Sequence, residues 1–325
     1  MSFVLLGLAV ALLVYGAAIV LLTAVTAPLF LRAARLSDPA ARARRLVALR
    51  VLPSAFALLT VFGFVVPAFL WLEPRDTVER VSASMALLAG AGFLILFSGP
   101  VRGLLSLLST RRLLKRWNDA VSIDVPGIPL PAFVVNEPFP IVSLVGWFRP
   151  RLVVARIVLE NFDSDELAAV LAHEAGHNER RDSWVRLLVR ACPDLVSMTP
   201  WAARMERAWA EAAEQDADER AARTGPTRAM DLASALLKVA RLAGGGRPPA
   251  IPVAALYRGE GVAARVARLL ERDPATERKR AHRAPLEGLA AAFCVLALLA
   301  FVPAAALGLH QEVHQLVEVL VAVFQ

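Results

Sequence analysis

Uncharged residues run without interruption from position 3 to 31, from 51 to 72, from 81 to 101 and from 289 to 309. Each run meets or exceeds the roughly 20 residues that cross a hydrocarbon core as a helix, so four spanning helices are predicted. The first is too long for a cleaved leader and lacks a basic start, since the chain opens Met1, Ser2, Phe3. Between the third and fourth runs the pattern changes. Short β-branched or aromatic stretches at 121–125, 133–135 and 151–158, separated by proline-rich turns, predict a small sheet or hairpins. Helical periodicity follows. Asp163 with Glu166 three residues on is a capping-box pattern, and Leu167, Val170 and Leu171 give the next helix an apolar face. An alanine- and glutamate-rich helix is predicted over 201–223, stopped by Gly225-Pro226.

Charge orients these elements. Arg32, Arg35, Arg42, Arg44, Arg45 and Arg50 stand against Asp38 alone in the segment after the first run, whereas the 73–80 loop carries more acids than arginines. Arg102, Arg111, Arg112, Lys115 and Arg116 follow the third run, and Arg278, Lys279, Arg280 and Arg283 precede the fourth. Basic segments stay cytoplasmic, so both termini are expected outside a cell membrane that the chain crosses several times. The expected organisation is a three-helix membrane region at 1–101 with a basic cytoplasmic loop at 32–50, a cytoplasmic domain at 102–286, and a fourth span with a short amphipathic external tail at 287–325. The stretch 244–252 (GGGRPPAIP) reads as the domain's clearest linker.

With 57% of its residues hydrophobic and 20% charged, the chain is neither disordered nor wholly soluble. Its net charge of +7 could serve nucleic acid, but the arginines gather beside apolar runs and not on a reading helix, so no direct nucleic-acid partner is expected. The lipid bilayer is. Cys192 and Cys294 are the two cysteines, and a bridge between them is not expected, because Cys294 lies inside the fourth apolar run.

The candidate chemistry lies at His173-Glu174-Ala175-Gly176-His177, an H-E-x-x-H sequence on the predicted 163–177 helix. Four-residue spacing puts both imidazoles on one helix face, where they can share a metal ion, with Glu174 placed to act as general base on a water there. A catalytic zinc site needs three protein ligands, so the third is sought on a second helix. Glu214 is the choice, with Glu211 as fallback. Asp218, one turn beyond Glu214, would accept the outer N–H of a ligand histidine and fix its tautomer. Tyr257 and Arg265 are candidates by elimination for an oxyanion donor, although no spacing places either at the metal and a structural role is the plainer reading of both. An extended substrate could pair with an edge strand within 151–158. Trp184, Trp201 and Trp209 read as packing residues or interfacial anchors.

Taken together, 138–154 (PFPIVSLVGWFRPRLVV), 167–182 (LAAVLAHEAGHNERRD), the Pro200-Trp201 step, 214–218 (EQDAD) and 265–270 (RVARLL) resemble the gluzincin membrane peptidases of the BlaR/MecR sensor-transducer family. The Arg180-Arg181-Asp182 tail and the Gly146-to-Pro150 step favour that family over HtpX-like quality-control peptidases. The fold class implied is a mainly α membrane protein with four transmembrane helices and a cytoplasmic α+β zincin-like metalloprotease domain. One Zn2+ per chain is implied, together with cleavage of a cytoplasmic protein, typically a transcriptional repressor. Oligomeric state is left open. With so little sequence after position 309, no extracellular sensor domain is expected, and sensing of β-lactams is not carried over. A catalytically inactive membrane scaffold would predict damage at His173, Glu174, His177 or Glu214, and all four are intact.

Overall fold

A computed structural model describes residues 3–72, 81–117, 119–125, 130–244 and 261–271, with 319, 322 and 323. Among these residues, three helices are long and apolar enough to cross a membrane. Helix α1 is Phe3–Ala33. Helix α2 (Pro39–Thr60) continues through a π-helical stretch, Val61–Val65, into α3 (Val66–Leu72), and α4 is Ala83–Arg116. The fourth apolar run, 289–309, lies outside the described residues, as do Tyr257 and Cys294.

The basic stretch read as a loop at 32–50 is mostly helix, because Asp38 caps α2 by accepting from Ala40 N at 3.0 Å and Pro39 suits the first helical turn. Likewise α4 runs unbroken through position 102, its start capped by Ser82 accepting from Met85 N at 3.2 Å. Helices α1 and α4 touch backbone to backbone, so that a Cβ added at Gly92 would stand 2.1 Å from Leu12 O. Only glycine fits there.

After α4 come four strands, β1 (Val121–Ile123), β2 (Ala132–Val135), β3 (Val142–Val145) and β4 (Arg151–Ala155), in the order β1-β2-β4-β3. The sheet is mixed, with β2 parallel to β4 and the other pairs antiparallel. Strand β4 therefore lies inside the sheet and β3 at its edge, so the edge strand expected within 151–158 is 142–145 instead. The strand pattern also stops early, since residues 156–158 open the short helix α5 (Arg156–Asn161).

Helices α6 (Ser164–Glu179), α7 (Asp182–Ala191), α8 (Trp201–Ala222), α9 (Arg228–Ala243) and α10 (Val262–Leu270) complete the described fold. The predicted capping box starts α6, with Asp163 accepting from Glu166 N at 2.9 Å and Glu166 accepting from Asp163 N at 3.1 Å. Ala169 and Val170 of α6, Leu232, Leu236 and Val239 of α9, and Val262 and Leu269 of α10 pack with Leu152, Val153 and Val154 in one buried core.

The membrane helices and this core meet at two places. On α8, Trp209, Ala210 and Ala213 pack on Phe30 and Ala33 of α1 and Ala43 and Leu46 of α2, while Arg42 donates to Gln215 Oε1. Trp184 and Trp201 are by contrast partly exposed. The connection between α7 and α8 is wedged among all three long helices. Pro193 O accepts from Tyr15 Oη of α1 and from Ser54 Oγ of α2 at 3.1 Å, and Leu195 packs with Tyr15, Ile19, Ala57 and Ile95. Buried Arg50 lies 2.8 Å from Asp194 and donates to Ser197 Oγ at 2.9 Å. Gly99 of α4 admits the wedge, for a Cβ there would sit 2.4 Å from Ala191 O and 2.7 Å from Pro193 N.

Candidate metal centre

Capping fixes where α6 begins, and the helical repeat then carries His173 and His177 to its buried side, facing α8. The rings meet edge to face, with the two Nε2 atoms 3.2 Å apart. Glu214 of α8 closes the group, its Oε2 3.5 Å from His173 Nε2 and its Oε1 3.6 Å from His177 Nε2. Three donors at about 2.0–2.1 Å from one tetrahedral centre lie about 3.3 Å from one another, close to these separations. His173, His177 and Glu214 are all buried and could hold one metal ion.

Two carboxylates face the far nitrogens. Asp218 Oδ1 lies 3.0 Å from His173 Nδ1. His177 Nδ1 donates to Asp182 Oδ2 at 2.7 Å. Asp182 reaches back because Arg181 takes a left-handed conformation, φ 55°, that breaks α6 from α7. With both Nδ1 atoms turned to carboxylates, each neutral ring offers its Nε2 lone pair to the same point. Lone pairs 3.2 Å apart repel unless a proton or a cation lies between them, so the donor set fits a cation.

Arg265 of α10 completes the surround. Its Nη2 donates to Asp218 Oδ1 at 2.6 Å and its Nε to Asp218 Oδ2 at 2.8 Å, while Nη1 stands 3.1 Å from Glu214 Oε2. This bidentate pairing fits the structural reading of Arg265. Arg180 adds a link, donating to Asp216 Oδ2 at 2.6 Å and to Asp182 Oδ1 at 3.3 Å. Glu211, the fallback ligand, is exposed, accepts from Gln215 Nε2 at 2.9 Å and is not in the cluster.

Glu174 is buried beside the cluster, and its Oε2 accepts from Leu144 N of β3 at 3.1 Å. Burial pushes its carboxyl up from the ordinary value, only partly opposed by the two histidines. Burial alone would lower His177, but Glu214, Asp182 and Glu174 outweigh it and, with no metal bound, hold it at about 10, so a metal ion there would take the place of the proton on its Nε2. For Glu214 burial acts upward and loses to Arg265 and the histidines, which keep it well below the usual carboxylate range. Glu214 is thus an anion at neutral pH, as a ligand must be.

Sequence reasoning did not assign a role to Asp182, Leu144 or β3. The first had a signal in its position directly after the histidine motif; a main-chain amide has none. Among curated proteins nothing matches the chain. Residues 131–269, from β2 into α10, match the family model described as BlaR1 peptidase M56, a match that supports a metallopeptidase domain beside helices apolar enough to cross a membrane.

Proposed function

We propose that the chain is an integral-membrane zinc endopeptidase, with His173, His177 and Glu214 as metal ligands, Glu174 as general base and Asp218 and Asp182 orienting the two imidazoles. The observation that carries this reading is the convergence of two imidazoles and a carboxylate at 3.2–3.6 Å beside a buried glutamate of raised pKa. Two nitrogens and one oxygen are a ligand set that suits catalytic zinc. When bound, such an ion supplies Lewis acidity, polarising a scissile carbonyl and acidifying water.

The protein's own groups do the rest. Leu144 N–H fixes one oxygen of Glu174, so the carboxylate is oriented before substrate arrives. Burial makes it a stronger base than an exposed carboxylate, which suits it to take a proton from water and return it to the leaving amine. Because Leu144 belongs to edge strand β3, an extended peptide adding to that edge would lie alongside the base. The substrate we infer is a cytoplasmic protein, with a transcriptional repressor as the case implied by the family resemblance, and the Arg-rich side of the membrane as the side on which the site works.

Metal content and cleavage test the reading together. The full chain, purified in detergent, is expected to hold about one zinc per chain. Glu214→Ala should lose the metal and the ability to cleave a casein-like reporter, whereas Glu174→Gln should keep the metal and lose cleavage. Equimolar zinc in the Glu214 variant would remove it from the ligand set, and normal cleavage by Glu174→Gln would remove the base.

A further inference from the structure

We propose that a cavity of about 570 Å3 between α4, α7 and the start of α8 binds the headgroup of an anionic phospholipid, a phosphodiester carrying a polyol. It is separate from the metal centre: no residue of the histidine–carboxylate cluster lines it.

The cavity's depth in the bilayer follows from the sequence. Arg50 is the last charge before the uncharged run at 51–72, and Arg102 the first after that at 81–101. Both line this one cavity, which therefore lies where hydrocarbon gives way to headgroups on the Arg-rich side.

Charge selects the ligand. Arg50, Arg102 and Arg190 contribute three cations. Against them stand Glu206, 3.1 Å from Arg190 Nη2, and Asp194, paired with Arg50. Three minus two leaves one positive charge, the complement of a single phosphodiester. The excess resides on Arg102, which donates to the main-chain oxygens of Arg190 at 3.2 Å and Cys192 at 2.7 Å and makes no ion pair among the described residues. Neutral carbonyls leave its charge available to an anion.

The hydroxyls point to the second half of the headgroup. Ser109 Oγ donates to Ser106 O at 2.8 Å, and Thr199 Oγ1 donates to Val196 O at 2.7 Å. Having used their protons on the backbone, both oxygens remain acceptors. A polyol can donate to them. A trimethylammonium group has no proton to give and would meet the arginines' like charge. Leu105 and Val189 add apolar wall for the glycerol and first methylenes.

Native mass spectrometry of the detergent-purified full chain tests the site without reference to peptidase activity. The wild type should retain phosphatidylglycerol over phosphatidylcholine by about ten-fold, the scale of one charge-assisted contact. Arg102→Gln/Arg190→Gln should erase that preference, and Arg111→Gln/Arg112→Gln, which removes the same charge elsewhere on α4, should keep it. Arg190→Gln alone, on a half-exposed side chain, should reduce the preference and serves if the double variant does not fold. Equal retention of the two lipids by the wild type, or an undiminished preference in Arg190→Gln, would overturn the proposal. Millimolar inorganic phosphate should not displace the lipid; full displacement would make the site one for free phosphate and overturn the lipid assignment.

Discussion

The metal centre and the membrane bundle are held together by opposite means. At the centre, α6, α8 and α10 are joined by charge: Arg265 spans Glu214 and Asp218, and each histidine faces its own carboxylate. In the bundle the joints are missing side chains, with Gly92 against Leu12 O and Gly99 against Ala191 and Pro193. The first kind of joint tolerates small displacements but not loss of a partner; the second tolerates polarity changes nearby but not added volume. The contrast is testable by exchanging the insults.

The largest effect is expected from volume in the bundle. Gly99→Leu would drive its Cβ into Ala191 O and Pro193 N, backbone atoms that cannot swing aside, and should cost more than about 4 kcal/mol. The readout is loss of monodisperse protein on size-exclusion chromatography. Removing an exposed charge from the same helix, as in Arg111→Gln, should do far less.

At the centre the order reverses. Arg265→Ala leaves two buried carboxylates without their cation and should destabilise the metal-free chain by about 3–5 kcal/mol. Saturating zinc should recover part of this, because Glu214 regains a positive partner. Melting temperatures with and without chelator check the difference, and a penalty unchanged by zinc would separate Arg265 from the metal site.

A smaller effect is expected from Asp182→Asn, which keeps the shape and weakens the acceptor of His177 Nδ1. Zinc affinity should fall about 10- to 100-fold with little change in the melting temperature of the metal-free chain. Competition with a fluorescent chelator measures it.

The smallest concerns the start of α6. Hydrogen bonding from Glu166 N, the leading cause, holds the Asp163 carboxyl below its ordinary 3.8. A depressed folded pKa means that the stabilisation is complete above the unfolded value and fades as pH drops through the folded one. Asp163→Asn, which still caps but does not titrate there, should lie slightly below wild type at pH 6 and converge with it toward pH 3. Urea unfolding across that range is the measurement.

What could be read from the sequence follows the range of the interactions. The apolar runs declare α1, α2–α3 and α4 because one chemistry persists for 20 residues or more. His173, Glu174 and His177 are legible because a helix turns spacing into geometry, and the Asp163 cap is equally local. Glu214 and Asp218 need a second helix, yet their own spacing of four still signals a shared face. Strand β3 was missed because four residues that are all buried show no alternation. Arg265 lies 47 residues from Asp218, beyond a glycine- and proline-rich stretch that hides any periodic link. The wedge at 192–197 carries no local signal of its role, since nothing in its own sequence reveals that Tyr15 and Ser54 will donate to Pro193.

That wedge has a practical consequence for anyone wishing to isolate the hydrolytic half. A fragment beginning after α4 would bare Trp209, Ala210 and Ala213 to water and deprive Pro193 O of both its donors, on the very helix and connection that carry Glu214 into position. Such a fragment should aggregate or bind zinc poorly, and solubilising tags would not cure it, because what it lacks is a wall and not a charge. Here the anchor is part of the enzyme's own foundation.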